Sequence, residues 1–220
     1  MKRQATGLIQ VFIALGICSC ASLTKLPETA LESGYYDFRT KPHAPYLDVY
    51  ANLNQDTVTV ILPDKSRKKL GPNEVLRKKG FDFDLLIVPF KYRGSTSSLP
   101  SQLTTDFNGN VFFGYRIDRY ESRFTETPMG LERSLRHHAI TVGGFGGFGT
   151  TFISPWTTNN QTTDEYSGFI FTRGVSAMVG VRNLTVGIGV GWDYLADRDK
   201  NIWIYQNKPW LGLMLSLNLN

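Results

Sequence analysis

Two stretches near the C-terminus alternate strictly between apolar and small or polar positions. In Leu184–Leu195 one face reads Leu184, Val186, Ile188, Val190, Trp192 and Tyr194, and the other Thr185, Gly187, Gly189, Gly191 and Asp193. In 210–220, Leu211, Leu213, Leu215, Leu217 and Leu219 oppose Trp210, Gly212, Met214, Ser216 and Asn218. A period of two over this length predicts strands with one face in apolar surroundings. Two further stretches repeat the pattern. Ile140, Val142, Phe148 and Phe152 oppose Ala139, Thr141, Gly143, Gly147 and Thr151, while Val111, Phe113, Tyr115 and Ile117 oppose Gly114, Arg116, Asp118 and Tyr120. Strands are expected at 46–52, 57–62, 84–92, 109–122, 139–152, 168–181, 184–195 and 210–219, with one turn of helix around 72–79.

A strand crosses a bilayer in about nine to eleven residues, with apolar groups toward lipid and small or polar ones toward the interior. The pattern predicts an all-β chain, a small antiparallel membrane β-barrel of about eight strands. The first two strands are short and fit either the barrel or an N-terminal β-hairpin appendage. Long connections at 93–108, 153–167 and 196–209 fall at one end, and the short turn Arg182-Asn183 at the other. This arrangement places Trp156, Trp192, Trp203 and Trp210 at or beyond the outer rim, a depth that suits the amphipathic indole. Four features resist it. Pro89 sits mid-strand without a donor. Arg173 falls on the apolar face unless a bulge near Gly174 switches parity. The connection 125–137 is long for an inner turn, and the last residue is Asn220, where many barrels end on an aromatic.

The N-terminus adds a destination. Lys2 and Arg3 precede the ten-residue apolar run 8–17, too short to span a bilayer as a helix, which reads as an export signal. The ending Ile17-Cys18-Ser19-Cys20 is similar to a bacterial lipobox, with Cys20 the expected site of lipidation. A plain secretory peptide cleaved nearby is the alternative. The expected layout is a signal peptide at 1–19, a lipidated tether at 20–33, an N-terminal hairpin region with a basic connection at 34–82, and a barrel region at 83–220. After cleavage no second cysteine remains, so no disulfide is expected. The formal charge of +5 falls to +3 once Lys2 and Arg3 are removed, too mild to argue for nucleic acid. The basic run 65–69, with Arg77, Lys78 and Lys79, fits a solvated turn or a face toward anionic lipid.

Four segments, FDFDLLIVPFKYRG (81–94), FNGNVFFGYRIDRYE (107–121), NLTVGIGVGWDYL (183–195) and IYQNKPWLGLMLSLNLN (204–220), resemble uncharacterised outer-membrane β-barrel-like lipoproteins of Gram-negative bacteria. The resemblance implies an envelope β-barrel-like protein, and together with the anchor expected at Cys20 it makes outer-membrane lipids the expected neighbours. It implies no activity and transfers no site residue.

No motif outweighs a structural reading. His137 and His138 lie near Glu132, Ser134 and Arg136, the residue types of a hydrolytic triad, but on one connection. Lys91, Arg116, Asp118 and Asp193 are expected to point inward, where charges need partners. The run GGFGGFG (143–149) has the glycines of a phosphate loop without its lysine. Asp164, Glu165, Asp197 and Asp199 on outer loops have the oxygens a divalent ion takes, and equally suit solvated tips. No catalytic residue, metal or cofactor is assigned. The expected role is that of a cell-envelope lipoprotein, structural or binding an unknown surface ligand through its loops. The alternatives are a lipid A-modifying barrel enzyme and a tethered lipocalin-like barrel holding an apolar ligand inside. The direction of Leu213 and Leu215 separates the last of these from the others.

Overall fold

The computed structural model describes residues 31–220 apart from 42, 55–56, 97–98, 129, 182–183 and 218–220. At 127, 131–133, 181, 184 and 217 it describes the backbone alone. The signal peptide, Cys20 and most of the tether therefore lie outside the described residues, as does Asn220.

The strands are β1 (Gly34–Arg39), β2 (Leu47–Asn54), β3 (Thr57–Ile61), β4 (Arg67–Lys69), β5 (Val75–Arg93), β6 (Gln102–Thr104), β7 (Asn108–Thr127), β8 (Gly130–Ile153), β9 (Tyr166–Val181), β10 (Leu184–Leu195) and β11 (Pro209–Leu217). All eleven belong to one antiparallel sheet. Two short 3-10 turns, Trp156–Thr158 and Arg198–Asn201, are the helical elements among the described residues. No described helix is long and apolar enough to cross a membrane.

Six of the strands close on themselves. β5 pairs β7, the ladder continues through β8, β9, β10 and β11, and β11 pairs back onto β5. The ring has six strands rather than about eight, because the strands expected at 46–52 and 57–62 are β2 and β3. These continue the sheet away from the ring, in the order β5-β1-β2-β3-β4. Their buried residues, Tyr36, Phe38, Val49, Ala51, Val58 and Val60, pack with Leu76 and Tyr120 in a small core of their own.

Two expected connections are strand instead. The region 72–79 is not helical: β5 begins at Val75 and pairs Asp37–Arg39 of β1 through Arg77–Val75. The stretch 125–137 is not a loop either. The β7–β8 ladder runs unbroken to the pair Thr127–Gly130, with Gly130 at φ +118 where glycine is favoured. This hairpin overshoots β9, whose ladder to β8 ends at Ala139–Gly180, and carries Tyr120 into the small N-terminal core.

The Pro89 difficulty resolves in the register. Leu213 pairs Phe90, but Leu215 pairs Ile87, so two residues of β5 face one of β11. A bulge is where a strand tolerates a residue that cannot donate. It also switches parity, so that Leu86 and Val88 point inward before it and Lys91 and Arg93 after it. At Gly174, by contrast, the ladders run through without a shift, and Arg173 remains exposed on the outer face.

Candidate functional site

The interior of the ring is filled. Its middle holds Leu86, Val88, Phe112, Phe145, Met178, Trp210 and Met214, all buried. Room for them comes from inward glycines: a Cβ on Gly143 would lie 2.3 Å from the Phe113 carbonyl oxygen, and one on Gly147 only 2.1 Å from that of Gly109. Ring diameter grows with strand number, and even eight strands leave space only for side chains or one small ligand. The run 143–149 is therefore a strand with a narrow inner face, as its composition suggested, and not a phosphate loop.

Toward the long loops the filling becomes ionic. Lys91 Nζ lies 3.0 Å from Asp193 Oδ2, Arg93 donates to the same carboxylate, and the Thr172 hydroxyl donates to Oδ1 at 2.8 Å. Lys91 and Asp193 are fully buried. The two cations also face aromatic rings, Lys91 over Trp210 at 4.7 Å and Arg93 between Trp203 at 5.4 Å and Tyr205 at 5.0 Å. Two cations share this one buried carboxylate, Asp106 adds a second negative charge near Lys91, and the ring faces stabilise the cations further. Lys91 and Asp193 were expected inward. Arg93 was not, because the expected strand stopped short of it.

At the opposite end Arg116 donates to Asp118 at 3.0 Å and lies 3.7 Å from Asp82. His137 Nε2 is 2.6 Å from Asp118 Oδ1, and its ring stacks on Tyr120 with centroids 4.6 Å apart. This arrangement orients an imidazole, and the serine that the sequence placed beside it does not share its face. Ser134 is exposed and, three residues away on a strand, belongs to the opposite face from His137. His138 is exposed as well, and the side chain of Glu132 lies outside those described.

The three long connections meet in a cap. Trp203, Ile204 and Tyr205 pack with Ile153, Ile170 and Leu195, joined by Leu99 and Tyr166. The Ile204 amide donates to the Thr157 carbonyl at 3.0 Å, and the Tyr205 hydroxyl to Gln102 at 3.1 Å. Trp203 in the cap and Trp210 at the start of β11 are buried packing groups, whereas Trp156 is exposed in the cap.

Three of the four loop carboxylates gather around Arg198, which also lies 3.6 Å from Asp199. Asp164 pairs Arg198, Asp197 accepts from the Arg198 amide, and Asp199 accepts from the Tyr166 hydroxyl at 2.9 Å. No group of three or more possible ligands converges for a metal among the described residues. In the basic stretch Lys68 pairs Glu74, and Arg77 and Lys79 both pair Asp37.

The outer face of the ring is its most distinctive surface. Phe83, Leu85 and Ile87 on β5, Val111 and Phe113 on β7, Ile140 and Val142 on β8, Val175 and Val179 on β9, Ile188 on β10 and Leu211 on β11 are all exposed. Leu213 and Leu215 point the same way, away from buried Met214. The chain matches no family model, no curated protein and no solved structure.

Proposed function

We propose that this chain is an outer-membrane lipoprotein whose six-strand ring is embedded in the bilayer as a closed, side-chain-filled β-barrel. It is anchored a second time through Cys20 and serves a structural or loop-mediated binding role in the cell envelope. The observation that carries the reading is the apolar outer face on every strand of a ladder with no free edge inside the ring. Soluble proteins rarely expose apolar patches beyond a few hundred Å², and only fully paired backbones suit lipid. At ~3.3 Å per residue and a tilt of ~45°, a strand of eleven or so residues spans ~25 Å, the height of the apolar band in such barrels. The filled interior argues against a channel and against an internal apolar ligand. The face opposition of Ser134 and His137 argues against a lipid A-modifying triad.

The reading is tested by expressing the chain in a Gram-negative host and extracting membranes with alkaline carbonate. Retention of both the wild type and Cys20→Ala, with a folded band that shifts on boiling, is expected. Release of Cys20→Ala into the soluble fraction would leave only a tethered protein and overturn embedding. An N-terminal mass for Cys20→Ala that differs from the wild type only by the loss of the cysteine sulfur would remove lipidation at that residue.

A further inference from the structure

On the outer face Val111, Gly146, Arg173 and Trp192 are register partners across four adjacent strands. The row nearer the loops holds Phe148, Phe171 and Tyr194, and the row below holds Phe113, Gly144 and Val175. Together they bound an open groove of about 830 Å³, with Val111, Phe113, Val175 and Trp192 as walls and Arg173 at its side.

Two observations single out this groove. The inward glycines of β8 are forced by backbone contacts, as Gly143 and Gly147 show. The outward ones are not: a Cβ on Gly144 would meet its nearest neighbour at 3.6 Å, and one on Gly146 at 3.8 Å, both ordinary contact distances. A side chain could therefore start at either position, and the recess exists because none does. Arg173, in addition, is exposed on an otherwise apolar surface with no carboxylate partner among the described residues. A cation in such a place gains most from an anion that itself belongs to an apolar phase.

We propose that this groove binds a phosphate-bearing membrane lipid, with the phosphate on the Arg173 guanidinium and an acyl chain lying over Gly144 and Gly146. The assignment rests on the embedded reading above. Guanidinium matches phosphate through two parallel hydrogen bonds. Its long stem lets the charge reach the headgroup level from one row below the aromatic residues. The apolar walls distinguish a lipid from free phosphate, which would gain nothing from Val111, Phe113 or Val175.

The test is native mass spectrometry of the detergent-purified full chain titrated with phosphatidylglycerol, with diacylglycerol and inorganic phosphate as the other probes. Phosphatidylglycerol adducts are expected on the wild type, and at least tenfold fewer on Arg173→Gln. Gly146→Leu, which keeps the cation and fills the groove, is expected to lose them equally. Diacylglycerol is expected to bind weakly, and inorganic phosphate not to displace the lipid. Equal adducts on the wild type and Arg173→Gln, equal binding of diacylglycerol, or displacement by inorganic phosphate would each overturn the assignment. Carbonate extraction of the same variants separates the two levels. Release of the wild type from membranes defeats embedding, whereas retention with lipid binding indifferent to Arg173 defeats only the groove.

Discussion

Lys91 and Asp193 meet at 3.0 Å in the closed interior although 102 residues separate them along the chain. The contact can form only once β5 and β10 are fixed on either side of β11. It reports ring closure rather than any local tendency of the sequence.

Removing one member of that cluster is expected to cost much more than removing all of it. Asp193→Leu strands Lys91 and Arg93 in a dry interior and should destabilise the fold by about 3–5 kcal/mol. The triple change Lys91→Met, Arg93→Met and Asp193→Leu removes the charges together and should recover most of the loss. Urea unfolding in micelles, followed by tryptophan emission, measures both. Equal losses in the single and triple variants would mean the cluster is held by shape and not by charge.

The inner and outer glycines of β8 should respond oppositely to the same substitution. Gly147→Ala places a methyl group 2.1 Å from a backbone oxygen and must displace β7. A loss of about 3 kcal/mol, or failure to form the heat-shifting band, is expected. Gly146→Ala meets only ordinary contacts and should stay within about 0.5 kcal/mol of the wild type. Comparable losses at both positions would contradict the alternation of faces described for β8.

The N-terminal extension carries a pH dependence of its own. Burial alone would raise the Asp37 carboxyl, but hydrogen bonds from Lys79 and Arg77 outweigh it and hold the group below the ordinary aspartate range. A depressed carboxyl contributes stability that is present above its unfolded value and lost as the pH falls through its folded value. The unfolding midpoint should therefore fall below about pH 4. Asp37→Asn should weaken that acid limb and lower stability at neutral pH. An identical acid limb in Asp37→Asn would assign it to other carboxylates.

Much of this architecture was legible in the residues, because period two is a local signal. The faces of β10 and β11 were readable from Leu184 to Tyr194 and from Trp210 to Ser216, and the inward direction of Arg116, Asp118 and Asp193 followed from parity, whereas Lys91 turns inward through the bulge at Pro89. What depended on partners was not legible. β4 and β6, three residues each, are too short to show a period, β1 carries only Tyr36 and Phe38 on its buried face, and 125–137 reads as polar because that hairpin runs beyond the apolar band. The bulge at Pro89 needs knowledge of β11, since only the opposite register reveals two residues facing one. The ring count failed for a similar reason: β2 and β3 alternate like the ring strands, and only their pairing with β1 and β4 removes them from it. Arg173 broke the apolar pattern from the start. The sequence offered a bulge to explain it, and the continuous ladder instead leaves it facing outward.

Where the outer face of the ring lies is measured most directly by attaching a spin label at Ile188→Cys, on the outward face of β10, in the full chain reconstituted in lipid vesicles. The signal of the unsubstituted chain is subtracted, and the label's collision rates with oxygen and with a water-soluble nickel chelate are compared. Embedding predicts a label at Ile188 that is open to oxygen and shielded from nickel, and a label at Asp164→Cys in the loops with the reverse behaviour. A label at Ile188 as open to nickel as the one at Asp164 would place the apolar face in water and contradict the account.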